Sequence, residues 1–264
     1  MIKGIMCNKR KNVFTVKECL TCAESGDNPC DYTASILRSM IKERMDEDIH
    51  VTDLTVCPRQ KVLKRQIDYL EKPENLFFKF RGTGLHLAVE FHSNKNLLTE
   101  YDVQLLLHNE KIVGRIDEID IKNKILRDYK TTSEFPYHPY EAHKKQVNLY
   151  KYMYEKTHSD NIKRLELIYI SMRGVKRFQV DIENSTEIKN FIIDRIKAIH
   201  EGSKDISNSI AEFGPLCAYC PEEVKRYCRA IEIRKHLETM KKTKKLPDLE
   251  EIIASMPENT YAMD

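Results

Sequence analysis

The residues of this chain best suited to chemistry lie between Gly114 and Tyr150. In order they are Gly114-Arg115-Ile116-Asp117, then Asp128-Tyr129-Lys130, then Gln146 with Tyr150 four positions later. Two carboxylates, an ammonium group and a Gln/Tyr pair can together hold a divalent cation, activate a water and grip a phosphodiester. Hard cations such as Mg2+ take oxygen ligands, and two carboxylates, waters and a phosphate oxygen complete such a site. A cation held there polarises the phosphate and acidifies the attacking water. Lys130 beside it can orient or deprotonate that water and offset charge in the pentavalent transition state. His86 can add a nitrogen ligand; the plainer reading is a satisfied core histidine.

These side chains need elements to aim them. Asp128 and Lys130 are two apart, so a strand points both to one face. Gln146 and Tyr150 are i and i+4, so a helix stacks them one turn apart. Alternation at Val103, Leu105 and Leu107 predicts a strand over 101–107, with a turn at His108-Asn109-Glu110. Strands are expected over 111–121 and 124–131, placing Asp117 and Asp128 on neighbouring strands. Pro136 and Pro139 precede a helix expected over about 140–156, followed by strands 164–171 and 174–182 and a helix over 185–202. Upstream, helical spacing predicts helices from Thr33 to about Asp48, over 52–72 ended by Pro73, and from Phe80 to Leu98. The fold class is α/β (α+β), with one central sheet flanked by helices and a mainly antiparallel strand run. In the bland alternative Asp117, Glu118 and Asp120 are the exposed face of an edge strand and Lys130 a surface lysine. Against that stands the order: Gly-x-x-Asp eleven residues before Asp-x-Lys, with Gln-x3-Tyr on the next helix.

The 264 residues carry 44 basic and 41 acidic side chains, a formal charge of +3, so bulk charge neither demands nor excludes a polyanionic partner. Two short basic runs, Lys9-Arg10-Lys11 and Lys241-Lys242 with Lys244-Lys245, read as solvated faces or local nucleic-acid contacts. No run approaches the roughly 18 apolar residues of a membrane span, and the charged, cysteine-containing N-terminus is unlike a signal peptide. The expected setting is therefore cytoplasmic, without a membrane partner, where cysteines ligate metals more often than they form disulfides.

Eight cysteines fall into two sets. Cys7, Cys19, Cys22 and Cys30 crowd a loop-rich segment with no apolar periodicity, which needs a staple; four thiolates around Zn2+ would supply one, and reduced cysteines in a flexible arm are the alternative. Cys217, Cys220 and Cys228 form a late trio, and Cys57 is the fourth thiolate for a closed site. Zinc and an iron–sulfur cluster both suit that set, and free thiols remain the plainer reading. Ligation would close a loop of about 160 residues and restrict the unfolded chain.

Over about residues 50–230 the chain resembles the RecB-like branch of the PD-(D/E)XK nucleases, specifically the CRISPR-associated exonuclease family Cas-four. Thr52-Asp53-Leu54 leading to Cys57-Pro58-Arg59, Gly82-Thr83-Gly84-Leu85-His86, Gly114 to Asp117, Asp128 to Lys130, Gln146 to Tyr150 and the late cysteines carry the resemblance. It implies a restriction-endonuclease-like core with a central mixed sheet, Mg2+ or Mn2+ at His86, Asp117 and Asp128, and catalytic support from Lys130, Gln146 and Tyr150. It also implies a four-iron four-sulfur (4Fe-4S) cluster on Cys57, Cys217, Cys220 and Cys228. Such proteins are DNases, often 5′ to 3′ exonucleases on single-stranded ends, and several trim DNA before spacer integration by a Cas-one and Cas-two complex. Alternatives are a standalone repair or recombination nuclease and a noncatalytic DNA-end scaffold. Asp128 stands where many relatives carry Glu, and the N-terminal cysteines are extra to the family pattern. The implied organisation is a Cys-rich element with a helix over 1–48, the nuclease core over 49–230, and a helix and tail over 231–264.

Overall fold

The computed structural model describes residues 2–7, 9–25, 30–41, 48–90, 94–240 and 247–256. The second basic run, Gly26, Asn28 and Pro29 in the first cysteine segment, and Met45 and Phe91 of the expected helices lie outside these residues. In chain order come β1 (Ile2–Cys7), β2 (Asn12–Phe14), α1 (Val16–Glu24), α2 (Ala34–Met40), β3 (Ile49–His50), α3 (Val51–Thr55), α4 (Pro58–Gln66), β4 (Tyr69–Glu71) and α5 (Pro73–Glu90). They are followed by β5 (Leu97–Leu107), β6 (Glu110–Asp120), β7 (Ile125–Thr131), α6 (Glu141–Thr157), β8 (Arg164–Ser171), β9 (Gly174–Val180), α7 (Ser185–Lys204), α8 (Glu222–Met240) and α9 (Leu249–Ser255). The chain divides into two units: Met1–Lys42 with Cys57–Leu76 and Ala198–Asp264, and Glu43–Val56 with Phe77–Lys197.

From β5 to α7 the elements match the sequence expectation; upstream they depart from it. The helix expected over 52–72 is broken into α3 and α4, because Val56 and Cys57 are held extended ahead of Pro58, which starts α4 at its first position. Its end is the strand β4. Pro73 opens α5 instead of ending a helix, and that helix stops at Glu90, so Leu97 and Leu98 belong to β5. No sequence pattern announces the strands in the first fourteen residues, nor the second sheet that they build, β2-β1-β4, with β1 and β4 parallel.

The Glu43–Val56 and Phe77–Lys197 unit is organised by β6. Along one edge β6 pairs antiparallel with β5 from Leu107↔Glu110 to Leu97↔Asp120. His108 and Asn109 both have positive φ, 52 and 62 degrees. They form the two-residue turn that fixes this register. On its other edge β6 pairs with β3 at Ile112 and Val113 and with β7 at Glu118 to Asp120. Between those contacts, from Gly114 to Asp117, that edge has no strand partner among the described residues. β7 then pairs parallel with β8 across the α6 crossover, and β9 closes the sheet antiparallel to β8. The sheet is thus mixed, as the family resemblance implies, with β3–β6 and β7–β8 parallel and the other pairings antiparallel. Helix α6 is buried continuously from Gln146 to Tyr154, so apolar and polar residues alike are interior. Ile112, Ile116, Val147, Leu149 and Met153 are fully buried, which anchors the sheet under the site.

In the other unit Leu63 of α4 packs with Val224 and Ile231 of α8, and Ile67, Ile206, Tyr227, Cys220, Cys228 and Leu249 close around them. Gly202 of α7 lies so close to Ser209 and Val62 that a Cβ would sit 2.9 Å and 3.0 Å from them.

Candidate active site

Asp117 lies where β6 and β7 diverge. Its Oδ2 accepts a hydrogen bond from the Tyr129 backbone N–H at 2.6 Å, so the carboxylate replaces the missing ladder contact and is fixed facing the gap. Across the β5–β6 pair, Thr99 faces Glu118 and Tyr101 faces Ile116, which sets Glu100 opposite Asp117. Glu100 has a left-handed backbone, with φ of 50 degrees. Such a conformation costs a non-glycine residue roughly 1–2 kcal/mol and is concentrated at functional sites. From α5, His86 Nδ1 approaches Glu100 Oε1 at 2.9 Å and Asp117 Oδ1 at 3.3 Å. One ligand atom from each of His86, Glu100 and Asp117 fits within 4.8 Å of the others.

Charge at this cluster is finely opposed. The hydrogen bond to Asp117 raises the His86 pKa to about 9 against the effect of burial, with Glu100 adding to the rise. Burial pushes the Glu100 carboxyl up, and the His86 contact holds it back.

Asp128 is fully buried on β7. Burial raises its pKa to about 7, Lys130 opposes the rise, and the Asp117 charge adds to it. The Lys130 Nζ lies 2.7 Å from Asp128 Oδ2, as the two-residue spacing on a strand requires. Oδ2 meets only that ammonium group, and Oδ1 has no hydrogen-bond partner among the described residues. A buried carboxylate with spare lone pairs is costly unless a cation completes it. The donor set therefore fits a divalent metal: oxygen-rich, with one imidazole.

Lys130 also donates to Gln146 Oε1 at 3.0 Å, and Gln146 Nε2 donates to the Tyr150 hydroxyl at 3.1 Å. The expected i, i+4 pair is thus joined to the Asp-x-Lys strand in one run: Asp128, Lys130, Gln146, Tyr150. Gly114 permits this approach. A Cβ there would meet Tyr150 Cε1 at 2.6 Å and Val51 Cγ2 at 2.9 Å, so the glycine of Gly-x-x-Asp is the space into which the α6 tyrosine packs. His143, also on α6, bonds the Tyr169 hydroxyl at 2.8 Å; burial, with Lys130 nearby, pushes its pKa down to about 3 and keeps it neutral.

Glu118 is not on an exposed edge. It is buried, accepts from the Tyr129 hydroxyl at 2.7 Å, and pairs with Arg127, which also reaches Glu166 at 2.7 Å. Asp117 and Glu118 alternate faces, and the Glu118 face is a structural ion network. Glu100, His143 and Tyr169 are the members of the site that sequence spacing alone does not reveal. For Glu100 a signal exists: counting back from the His108-Asn109 turn puts it opposite Asp117.

In the other unit Cys57 is the N-cap residue of α4, Cys217 lies within a 3-10 turn over Pro215–Tyr219 that Cys220 ends, and Cys228 lies on α8. N–H groups converge on their sulfurs: Gln60 Nε2 on Cys220 at 2.9 Å, the Glu212 amide on Cys57 at 3.3 Å, and Arg59 Nη1 on Cys228 at 3.4 Å. Arg59 is itself buried, donating to the Ser209 carbonyl at 2.8 Å and pairing with Glu232 at 2.8 Å. Burial raises the Cys220 and Cys228 thiols, and Cys57 adds to the rise at both. Half-buried thiols receiving N–H donors suit sulfur that carries negative charge, as in a ligated thiolate.

In the same unit, burial raises the Cys19 pKa to about 11, with the charges of Cys30, Cys7 and Cys22 adding to the rise. None of the eight cysteines forms a disulfide.

His86 on α5, Glu100 on β5 and Asp117 on β6 meet around one point, with buried Asp128 and Lys130 on β7, and together they define a candidate divalent-metal hydrolase site. The particular family follows from the sequence profile: the chain belongs to the PD-(D/E)XK nuclease superfamily, whose profile matches residues 24–229, and DNA is the substrate that this membership implies. Among solved structures the chain is similar to SSO0001, with 21% identity and a TM-score of 0.50 over 78% of this chain and 94% of that one. A candidate exonuclease from Eubacterium rectale aligns over 90% of this chain and 92% of its own, with 9% identity and a TM-score of 0.36. No curated protein matches the chain. Among the described residues no helix is long and apolar enough to cross a membrane.

Proposed function

We propose that this protein is an Mg2+- or Mn2+-dependent DNA exonuclease acting on single-stranded ends, with 5′ to 3′ polarity. The observation that carries the reading is Asp128: a buried carboxylate whose Oδ1 has no hydrogen-bond partner among the described residues, whose Oδ2 meets Lys130, and which is joined through Lys130 to Gln146 and Tyr150 near the His86, Glu100 and Asp117 cluster. His86, Asp117 and Asp128 hold the cation, with Glu100 as a further oxygen ligand. When bound, the cation supplies Lewis acidity at the scissile phosphate and a nucleophilic water at neutral pH. Lys130 positions that water and offsets developing negative charge. Gln146 fixes the ammonium group, and Tyr150 fixes Gln146. His143, neutral and buried, holds Tyr169 in the wall of the site without adding charge.

Cys57, Cys217, Cys220 and Cys228 hold a 4Fe-4S cluster in this proposal; the N–H donors on three of the sulfurs support it. A role in preparing DNA for integration by a Cas-one and Cas-two complex rests on the sequence resemblance alone; an integrase gene beside this one would favour it, and isolation would favour a repair or recombination nuclease. The activity is tested with linear single-stranded DNA labelled at either end and with circular single-stranded DNA, each with Mn2+. Release of labelled mononucleotides or short products first from the 5′ end, with circles intact, is expected. Cleavage of circles at the same rate would refute the exonuclease assignment.

A further inference from the structure

The sheet face that carries Asp128 and Lys130 continues outward into a group of rings and one cation that the proposed chemistry does not use. Lys130 of β7 is in register with Tyr169 of β8, and Tyr169 with Lys176 of β9. Residues paired in this way share a face, and two strand spacings put the Lys176 backbone roughly 10 Å from that of Lys130. Phe178, two positions along β9, shares the face too and meets the Tyr169 ring edge-on, with centroids 5.7 Å apart.

Against this row lies the connection from β7 to α6, and it is tied down along its length. The Thr132 amide donates to the Ile170 carbonyl at 2.9 Å, and the Thr132 hydroxyl to the Glu134 carbonyl at 2.6 Å. Lys176 donates to the carbonyl of buried Pro136 at 3.0 Å, and the Tyr140 amide donates to the Tyr169 hydroxyl at 3.2 Å. A backbone fixed so firmly could tuck its rings inward. It does the reverse: Tyr137 is 88% exposed and Tyr140 56%. One exposed apolar side chain is ordinary. Here two tyrosines three apart stand out from a fixed backbone beside the site. An edge of the Tyr140 ring rests on His143 and Tyr169, with centroids at 5.4 Å and 6.1 Å. The Lys176 ammonium group lies 5.9 Å from the Tyr137 centroid and 4.7 Å from that of Phe178.

The charges around these rings leave a positive remainder. Glu134 is met by Arg173 of the β8–β9 turn at 3.4 Å, and Glu141 by Lys144 at 2.5 Å. Lys176 has no carboxylate partner among the described residues; one carbonyl and two rings hold it. Exposed aromatic faces on a rigid backbone, next to an uncompensated cation, are what a single strand of nucleic acid calls for: bases stack on the rings and the backbone follows the charge. In a duplex the base faces are already stacked on their neighbours.

We propose that Tyr137 and Tyr140, with Lys176 beside them, form a stacking platform for the unpaired bases that adjoin the scissile phosphate of single-stranded DNA. The proposal rests on the nuclease reading and adds to it the side chains that take the bases, hence a physical reason for preferring single strands. The platform holds no cation and moves no proton; it fixes the strand across the sheet from Lys130.

The test uses the full-length protein as wild type, as Tyr137→Ala/Tyr140→Ala and as Tyr137→Phe/Tyr140→Phe, with thermal unfolding as the check on folding. Tyr140 caps α6 without a side-chain hydrogen bond, so neither change removes a cap. Binding of a dye-labelled single strand and of a blunt duplex is read by fluorescence anisotropy in chelator, and cleavage of both is read with Mn2+. The Ala variant is expected to bind the single strand at least about fivefold more weakly and the duplex within about twofold of wild type, and the Phe variant to keep wild-type affinity. Cleavage of the single strand by the Ala variant should show a raised KM and an unchanged requirement for Mn2+. An oligonucleotide whose terminal nucleotides lack bases should bind wild-type protein at least about fivefold more weakly, and this penalty should largely vanish in the Ala variant. Wild-type affinity in the Ala variant, an equal loss on duplex DNA, or a penalty for missing bases that persists in full without the rings would each overturn the platform while leaving the nuclease reading intact. The expected binding pattern without Mn2+-dependent cleavage by wild-type protein would instead overturn the nuclease reading and not the platform.

Discussion

Gly114→Ala tests whether the glycine of Gly-x-x-Asp serves Lys130, the lysine of the proposed mechanism, at a distance. The added methyl would sit 2.6 Å from Tyr150 Cε1 and 2.9 Å from Val51 Cγ2, where ordinary contact begins at 3.4 Å. The Tyr150 ring must therefore withdraw by about 0.8 Å or more, yet it is buried on a helix that is enclosed along nine consecutive residues. Overpacking of this kind costs typically about 1–3 kcal/mol. The Gln146–Tyr150 hydrogen bond, at 3.1 Å, has little length to spare. Its loss adds about 1 kcal/mol. A destabilisation of about 2 kcal/mol or more is therefore expected in urea unfolding, from the overpacking and the lost hydrogen bond together. Because Gln146 is what fixes the Lys130 ammonium group, a displacement of about 1 Å should also lower the single-turnover rate by about 100-fold. A double-mutant cycle with Tyr150→Ala isolates the ring's share of the clash: with the ring removed, Gly114→Ala should cost clearly less, the remainder coming from the 2.9 Å approach to Val51 Cγ2. Equal cost in both backgrounds, or wild-type rate and stability in the single variant, would refute the reasoning.

Lys130→Ala should lower the cleavage rate by at least about 100-fold while Mn2+ affinity, read by calorimetry, changes far less. Metal affinity should rise between pH 6 and 9, because binding must displace the proton that Asp117 and Glu100 hold on His86 up to about pH 9; flat affinity over that range would contradict the His86 assignment. Asp128 ionises near 3.8 in an unfolded chain and near 7 when folded. The metal-free protein therefore loses stability as pH rises from about 4 to 7, and above 7 Asp128→Asn should be the more stable protein by an amount on the order of a few kcal/mol, the gap closing toward pH 4. Arg59→Leu strips the donors from the Ser209 carbonyl and the Cys228 sulfur. It should destabilise by about 3 kcal/mol and speed bleaching of the visible absorption in air.

Much of the site can be read from spacing because its parts are local. Asp128 and Lys130 share a strand face, Gln146 and Tyr150 share a helix face, and both periods are visible in a single sequence. Glu100 escapes such a reading because it belongs to the site through strand register and a left-handed backbone, which no local pattern announces. Gly114 is recognisable as part of a motif, but its reason is the approach of Tyr150 from a helix thirty-six residues on. The same limit explains the upstream errors. β1 is a strand because it pairs with β4, more than sixty residues away. Pro73 is legible as punctuation, and the error lies in direction: it begins a helix, where its missing N–H costs nothing, as does Pro58, through which the expected 52–72 helix runs unbroken.

The central claim is that His86, Glu100, Asp117 and Asp128 hold a cation with which Lys130 cleaves a phosphodiester. It is tested most directly by single-turnover digestion of end-labelled single-stranded DNA with wild-type and Asp117→Asn protein, with Mn2+ and with excess chelator. The account predicts Mn2+-dependent product from the wild type, none with chelator, and a rate lower by at least about 1,000-fold in the variant. Cleavage that persists in chelator, or that survives in Asp117→Asn at the wild-type rate, would contradict it.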